Sequence, residues 1–439
     1  MRNLSLKATL WVVVYFVLVL APVLLLFPQP RPEGREFWRE VSVALGFVGL
    51  SLMGLQFVPT ARLPFLASVF PLDTLYSFHH RVSITSFALI LAHPLILFIY
   101  NPFTIRLLNL LDAPLRARAG TLALLGLAVL VGTSVWRLGL RLSYEAWRIA
   151  HSALAIAIAA LALYHILNVN WHTSVPRQRY FWIAWAVIWG GMVLYVRVIK
   201  PWMMLRRPWR VREVRPERGA SWTLALEPDG HEGFRFKPGQ VAWLTIGRSP
   251  FGIREHPFSL TSSALESDHI TFTIRELGDF TSTVGDIRPG VRAYVDGPYG
   301  TFDIDQHTGP GYVFIAGGIG AAPIMSMLRT MADRGDDRAI TFFYGNRTWD
   351  SISFREELVE LEARLNLTVV HLLEEPPEGW EGETGFLTRE MLDRHLPADR
   401  HERVYFVCGP IPMIAVVERA LRALGVPLTQ IHSERYEMA

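Results

Sequence analysis

Residues 77–100 read SFHHRVSITSFALILAHPLILFIY, and residues 146–168 read AWRIAHSALAIAIAALALYHILN. Both stretches are apolar and long enough to cross a bilayer core as a helix, which takes about 20 residues. Each stretch carries two histidines 14 residues apart, and the four are His79, His93, His151 and His165. An ionisable side chain at membrane depth is costly, so histidines in these stretches indicate a functional site.

The spacing places both histidines of a helix on one face. At about 100° and 1.5 Å per residue, 14 residues return a side chain to within roughly 40° of its direction, about 21 Å further along. One helix separates the two stretches, so they run parallel, and we expect two level pairs, His79 with His151 and His93 with His165. Such pairs can hold two stacked haems. His80 is the alternative to His79, and packing or proton relay is the alternative role.

Six apolar runs of the first half are long enough to span a bilayer: 8–27, 37–58, 77–100, 119–139, 146–168 and 180–204. The first run lacks a small-residue cleavage site and is expected to be retained. An even number of spans puts both ends of this half on one side. That side carries more arginine and lysine, which predicts a protein of the cell membrane with its soluble half in the cytosol.

Composition excludes several classes of site. Cys408 is the only cysteine among 439 residues, which excludes an internal disulfide, a four-cysteine iron–sulfur cluster and a cysteine zinc site. The formal net charge of +3 gives no continuous basic stripe, so we expect no nucleic-acid partner. The sequence pI of about 9.0 is better explained by basic flanks of the membrane helices.

The second half has ordinary globular composition. Short alternating segments, punctuated by Pro238-Gly239 and Pro289-Gly290, predict an antiparallel β-barrel with strands near 210–216, 221–227, 241–246, 270–275 and 292–296. From 311 onward, apolar strand-like runs alternate with helical segments, which predicts a parallel nucleotide-binding sheet. Strands are expected at 312–316, 340–344, 367–372 and 404–407, with helices near 321–334, 353–364 and 411–424.

The strings Phe78-His79-His80-Arg81 and Trp147-Arg148-Ile149-Ala150-His151 resemble the haem helices of the ferric reductase-like transmembrane proteins, a family that includes the NADPH oxidases. The second half is similar to ferredoxin–NADP reductases. The resemblance implies FAD, two b-type haems and NADPH (or NADH) as cofactors.

The string from His256 to Ser262, HPFSLTS, resembles the family's flavin-binding strand. The resemblance implies that the aromatic ring packs on the flavin while hydroxyl and backbone groups bind its polar edges. A second string, from Arg275 to Thr281, can bind the FAD pyrophosphate through backbone amides and a guanidinium. Arg254 is the alternative source of that charge. The predicted FAD-binding residues are His256, Pro257, Phe258, Ser259, Thr261, Ser262, Arg275, Gly278, Thr281 and Tyr436.

The turn from Gly317 to Pro323 follows a predicted strand and opens a helix, which suits a pyrophosphate. Two further strands end nearby in the expected sheet, and open α/β sheets bind ligands at the carboxyl ends of their strands. Arg347 is expected to pair with the 2′-phosphate of NADPH, the alternative being an exposed arginine. The predicted NAD(P)H-binding residues are Gly317, Gly318, Gly320, Pro323, Asn346, Arg347, Cys408, Gly409 and Pro410.

The resemblance also places Cys408 near the reacting nicotinamide, although a buried cysteine can simply fill space. The tail Glu434-Arg435-Tyr436 resembles the family's terminal aromatic, which stacks on the flavin, but here three residues follow Tyr436. We therefore take Cys408, Glu434 and Tyr436 as the candidate catalytic residues. The sequence contains no EF-hand pattern before the first helix, and we expect no obligate regulatory subunit.

The predicted fold is a six-helix transmembrane haem bundle (1–205), an antiparallel β-barrel FAD domain (206–305) and a Rossmann-like α/β NAD(P)-binding domain (306–439). The expected function is an NAD(P)H oxidase that passes electrons from cytosolic NAD(P)H through FAD and two haems to an extracytosolic acceptor. Oxygen, giving superoxide, is the preferred acceptor because the outer loops contain no cluster of ligands for ferric iron. The candidate ligands there, Asp112, His172 and Glu33, are scattered singly, and His172 is expected to be a solvated loop residue. The alternatives are a ferric reductase acting on a ferric chelate, an electron donor to a partner protein, and a haem-free transporter fused to a reductase.

Overall fold

The computed structural model describes residues 2–28 and 32–435. The chain divides into two compact units. One consists of Met1–Val69 with Thr74–Lys200, and the other of Phe70–Asp73 with Pro201–Ala439.

The first unit is helical. Among the described residues, six helices are long and apolar enough to cross a membrane: Leu6–Leu24, Phe37–Thr60, Leu72–Tyr100, Leu115–Val135, Tyr144–Val169 and Pro176–Leu205. This confirms the prediction of a six-helix bundle. The third helix begins earlier than hydropathy alone predicts, with Asp73 in its first turn, where a carboxylate is favoured by the helix dipole. Large apolar side chains such as Leu125, Val129 and Val187 remain exposed, as expected of lipid-facing positions.

Small residues let these helices approach one another closely. A Cβ atom added to Gly49 would lie 2.7 Å from Ile90 of the third helix, and one added to Gly54 would overlap the ring of Trp189 of the sixth. Trp182, Trp185 and Trp189 form the aromatic part of the bundle core. Because lipid offers helices little hydrophobic reason to associate, such close packing is the main source of cohesion.

The second unit begins with a six-stranded antiparallel sheet. Its strands are β1 (Trp209–Glu217), β2 (Ser221–Pro228), β3 (Val241–Ile246), β4 (His256–Ser259), β5 (Ile270–Arg275) and β6 (Arg292–Tyr299), in the order β4-β3-β6-β1-β2-β5. Apolar side chains of this sheet, among them Leu224, Leu226 and Phe272, form its own core. The predicted antiparallel barrel is confirmed, with one strand, β4, formed by the candidate flavin string.

A parallel sheet follows in the same unit. Its strands are β7 (Gly311–Gly317), β8 (Ala339–Asn346), β9 (Leu367–Leu373), β10 (Glu383–Thr384), β11 (Val404–Gly409) and β12 (Ile431–Arg435), in the order β10-β9-β8-β7-β11-β12. All the paired strands run parallel. The helices are Ala321–Arg334, Arg355–Arg364, Arg389–His395 and Ile411–Ala423. Two apolar clusters accompany the sheet, so the predicted α/β fold is confirmed and the carboxyl ends of β7, β8 and β11 share one edge.

Candidate functional site

Two histidine pairs lie at two levels of the membrane bundle. The rings of His79 and His151 have centroids 6.3 Å apart and planes inclined by 64°. His93 and His165 are close enough to interact electrostatically. His80 is exposed on the helix surface, so it is His79 that the structure brings opposite His151.

His93 and His165 form the upper pair, and the Nδ1 atom of each ring faces a hydrogen-bond acceptor. Nδ1 of His93 lies 3.0 Å from the backbone carbonyl oxygen of Ser42, and Nδ1 of His165 lies 2.7 Å from that of Arg116. The Ser42 hydroxyl, 2.8 Å from Nδ1 of His93, donates its hydrogen to the carbonyl oxygen of His93 at 2.9 Å. Since a carbonyl oxygen can only accept, Nδ1 is the nitrogen that carries the ring proton in both histidines. The Nε2 atom of each ring is therefore left with a lone pair, the form of histidine that binds a metal.

His151 also directs its Nδ1 at an acceptor. Its Nδ1 lies 3.1 Å from the hydroxyl oxygen of Ser134. That hydroxyl donates its own hydrogen to the carbonyl oxygen of Leu130 at 2.6 Å, so it accepts from His151. Nδ1 of His79 is buried and makes no hydrogen bond of ordinary geometry within the described ranges, although the backbone of Gln56 lies nearby.

The distance between the rings of His79 and His151 fits a metal-centred group, such as a haem, held between two imidazoles. Two imidazoles that bind one metal ion from opposite sides, each at a metal–nitrogen distance of about 2.0–2.1 Å, have ring centres roughly 6 to 6.5 Å apart. The observed separation of His79 and His151 falls in this range. Over residues 2–28 and 32–435, no group of three or more His, Cys, Asp or Glu could hold a metal ion, and a haem needs only two.

Glycines border the upper pair on both sides. A Cβ atom at Gly46 would lie 3.3 Å from Cγ of His93, and one at Gly120 would lie 2.7 Å from Nδ1 of His165. A larger residue at Gly120 would therefore displace the ring of His165. This role of the two glycines could not be predicted from the sequence because it depends on contacts between helices.

His172 differs from the sequence expectation of a solvated loop residue. Its side chain is only 11% exposed, and its Nε2 lies 3.0 Å from a carboxylate oxygen of Glu40. Arg35 stacks over the neighbouring Trp171, 3.7 Å from the ring centre. The expectation was wrong because the loop folds back onto the start of the second helix, which sequence separation conceals.

The candidate flavin strand β4 presents planar side chains. The rings of His256 and Phe280 stack at 4.0 Å with planes 5° apart, and Phe258 lies 6.1 Å from Phe280. All three are half-buried. Phe280 was not among the predicted site residues, although it lies inside the Arg275–Thr281 string.

The loop beside these rings is held by Thr281, whose hydroxyl oxygen accepts the backbone N–H groups of Leu277 and Gly278 at 2.8 and 2.9 Å. Space is open around Gly278, and Arg275 is exposed. Stacked rings beside an open loop and a guanidinium fit an aromatic cofactor that carries a pyrophosphate.

Thr261 and Ser262 lie inside the protein. Their hydroxyl groups meet Thr271 of β5, through its hydroxyl at 2.8 Å and its N–H at 3.1 Å. The carbonyl oxygen of Thr261 accepts from Arg329 at 2.5 Å, and that of Ser262 accepts from Ser326 at 2.8 Å. These two residues therefore join β4 to β5 and to the helix Ala321–Arg334, which is a positioning role.

The glycine turn after β7 lies against the end of β11. A Cβ atom at Gly317 would lie 2.7 Å from the sulfur of Met413, and one at Gly320 would clash with the carbonyl group of Cys408. Gly318 has a positive φ of 53°, and a Cβ there would lie 3.1 Å from the guanidinium of Arg275. The structure thus brings the predicted turn, the Cys408-Gly409-Pro410 segment and Arg275 together, and only glycine fits the turn.

The end of β8 holds the other predicted dinucleotide residues. Asn346 is buried, and its side-chain amide nitrogen makes no hydrogen bond of ordinary geometry in the described part of the chain, although Tyr344 lies nearby. A buried donor of this kind suits a ligand. Arg347 is exposed and pairs with Glu375, which raises the pKa of Arg347 above its ordinary value through the hydrogen bond.

Cys408 and Glu434 are candidate catalytic residues on adjacent strands. Cys408 is buried on β11, and the register of β12 places Glu434 beside it. Burial raises the pKa of Glu434 to about 8, so this carboxyl group is mostly protonated at neutral pH. Tyr436, the third predicted catalytic residue, lies outside the described residues.

Three family models match successive parts of the chain. "Ferric reductase like transmembrane component" matches residues 45–162, "FAD-binding domain" matches 223–303, and "Oxidoreductase NAD-binding domain" matches 314–419. The first match contains three of the four paired histidines and ends just before His165. The other two contain the flavin string and the glycine turn with Cys408.

Two relatives are similar over part of their length. The reductase component of propane 2-monooxygenase from Rhodococcus jostii (strain RHA1) is 35% identical over 238 residues, or 52% of this chain. NADH-cytochrome b5 reductase 1 from Cryptococcus neoformans var. neoformans serotype D (strain JEC21 / ATCC MYA-565) is 31% identical over 183 residues, or 38% of this chain. The chain spans 62% of the length of each relative.

One solved structure resembles the fold over most of its length. Flavohemoglobin from Malassezia yamatoensis, with bound FAD and heme, has a TM-score of 0.50 at 15% identity, covering 91% of this chain and 96% of that one. At this identity the likeness concerns the fold alone.

Proposed function

Since the chain belongs to the ferric reductase and NADPH oxidase family, with a transmembrane component followed by FAD-binding and NAD-binding domains, we propose that it moves electrons from cytosolic NAD(P)H through FAD and two haems to an extracytosolic acceptor. The protein is a multi-pass, NAD(P)H-dependent membrane oxidoreductase with a flavin domain. When bound, FAD converts a two-electron donor into single electrons, and the haems carry them through the apolar layer.

One observation carries the haem part of the proposal. His93, His151 and His165 each direct Nδ1 at an acceptor and so keep Nε2 available for a metal. These contacts fix the tautomer and the ring orientation before any ligand binds. A proton relay would instead favour a nitrogen that can both gain and lose a proton.

The soluble residues have separate tasks. The glycine turn brings backbone amides and the N-terminus of the helix Ala321–Arg334 to a pyrophosphate. His256, Phe258 and Phe280 provide planar surfaces for the flavin ring, and Arg275 provides positive charge beside both strings. Protonated Glu434, next to Cys408, can donate a hydrogen bond where the nicotinamide would approach.

Oxygen is the acceptor that we propose. If each haem were held by both histidines of a pair, its iron would offer oxygen no open position, and the chemistry it would supply is transfer of one electron to oxygen at the haem edge, giving superoxide. In the outer region, Glu40 and His172 are bound to each other and do not form a ready set of hard ligands for ferric iron. Reduction of a ferric chelate remains the second candidate because the matching family model is described as ferric reductase like.

The deciding experiment uses the full chain in detergent with FAD, haem and a nicotinamide donor. Cytochrome c reduction that superoxide dismutase abolishes would support the oxidase. Fast anaerobic reduction of ferric citrate, with dismutase-insensitive cytochrome c reduction, would reject it in favour of ferric reductase. A purified protein without a haem α-band would reject the electron pathway itself and leave the flavin reductase.

A further inference from the structure

Arg347 and Glu375 form a side-by-side pair at the carboxyl ends of β8 and β9. Nε and one terminal nitrogen of the guanidinium both lie 2.9 Å from the same carboxylate oxygen of Glu375. The backbone N–H of Glu375 donates to the carbonyl oxygen of Arg347 at 2.8 Å. Because the ladder between β8 and β9 continues past the strand ends, the two side chains are held next to each other.

The Arg347–Glu375 pair lies at the edge of the sheet where a bound dinucleotide is expected to place its adenosine ribose. The glycine turn follows β7, and β8 is the next strand in the sheet. In sheets that bind dinucleotides, a residue after the second strand meets the adenosine ribose: a carboxylate binds the 2′-hydroxyl of NADH, and an arginine accommodates the 2′-phosphate of NADPH. Here Arg347 follows the second strand, β8, and Glu375, from the end of the neighbouring strand β9, lies against it.

Negative charge prevails around the pair. Glu374 also acts on Arg347 electrostatically. Two carboxylates, Glu375 and Glu374, therefore act on the single guanidinium of Arg347.

We infer that Glu375 makes the protein select NADH over NADPH, by holding the guanidinium of Arg347 and by repelling a 2′-phosphate. The pair is exposed, with 70% of the Arg347 side chain and 57% of the Glu375 side chain accessible, so the attraction itself is weak. The discrimination comes from the carboxylate, which stays beside the phosphate position whichever way the arginine turns. This reverses the sequence expectation of NADPH, and it rests on the proposed function.

The test separates the 2′-phosphate from the redox chemistry. Binding of 2′,5′-ADP and of 5′-AMP to the full-length protein is measured by calorimetry, because neither nucleotide carries nicotinamide. The wild type should bind 2′,5′-ADP no more tightly than 5′-AMP. Glu375→Gln should bind 2′,5′-ADP about tenfold more tightly, the order expected for removing a like charge a few ångströms away at a protein surface, with 5′-AMP changed less than about twofold.

Two variants control this result. Arg347→Ala combined with Glu375→Gln should keep the part of the gain that comes from removing the repelling charge and lose the part that the released guanidinium of Arg347 provides. Glu378→Gln removes an exposed carboxylate from the same loop and should give no comparable gain. A wild type that strongly prefers 2′,5′-ADP, or a Glu375→Gln variant without the gain, would overturn the inference.

Flavin reduction provides the separate check on the proposed function. NADH should reduce the bound flavin faster than NADPH at equal concentration in the wild type, and Glu375→Gln should narrow the difference. If neither NADH nor NADPH reduced the flavin while nucleotide binding was intact, the proposed function would be rejected. The nucleotide-binding comparison decides the selectivity in either case.

Discussion

Cys408 and Glu434 are register partners on the parallel strands β11 and β12. One carboxylate oxygen of Glu434 is buried without a hydrogen-bond partner in the described part of the chain. A buried carboxyl group beside the candidate nicotinamide position is therefore the group whose ionisation should be visible in the reaction.

The first prediction concerns pH. Burial raises the pKa of Glu434 from 4.5 to about 8, so the group remains protonated in the folded protein up to about that pH. Its contribution to stability is fully present below 4.5 and is lost as the pH rises through 8. Above pH 8, the ionised carboxylate can no longer donate the hydrogen bond proposed to hold the nicotinamide, so flavin reduction should slow. Stopped-flow rates should fall there in the wild type and stay flat in Glu434→Gln, and identical profiles would contradict the role.

The second prediction concerns the upper histidine pair. His93→Ala or His165→Ala should remove one of the two haems and abolish reduction of the extracytosolic acceptor, because a single remaining imidazole holds haem poorly. NAD(P)H should still reduce the flavin. Haem content and the α-band report the loss, and a variant with two intact haems and full activity would refute the assignment. His80→Ala is the matched control and should retain both haems.

The third prediction tests the hydrogen bond that orients His151. Ser134→Ala removes the acceptor for Nδ1, and loss of such a partner typically lowers metal-site affinity by about 10–100-fold. We expect weaker haem retention during dilution and a shifted midpoint potential for one haem. Thr133→Ala is the control, because that hydroxyl bonds only to the backbone of its own helix. Equal behaviour of the two variants would make Ser134 a packing residue.

The fourth prediction uses the glycines of the fourth helix. Gly120→Ala places a methyl group 2.7 Å from Nδ1 of His165 and should displace that ring, with loss of the upper haem. Gly132→Ala, on the same helix, meets only Trp136 at 3.6 Å, an ordinary contact. Haem-to-protein ratios in the two purified variants make the comparison, and full occupancy in Gly120→Ala would exclude a haem at this pair.

Much of the fold follows from local sequence. Apolar runs of about 20 residues identify the membrane helices because the bilayer core has a fixed thickness. The period of apolar residues predicts the helix at 321–334, whose observed bounds are Ala321–Arg334. It likewise predicts β3, expected and observed at 241–246. Elements with a weak apolar pattern were missed, among them the two-residue β10 and the half-buried edge strand β12.

By itself, the sequence determined the six apolar helices, the four histidines at equal spacing and the two nucleotide-type strings, because these depend on residues near one another in the chain. Only the tertiary structure decided that His79 faces His151, that Thr261 and Ser262 turn inward, and that Arg347 pairs with Glu375. The physical reason is that hydrophobic periodicity is a property of one segment. A hydrogen bond, an ion pair or a steric contact instead depends on which distant side chain the fold brings within a few ångströms.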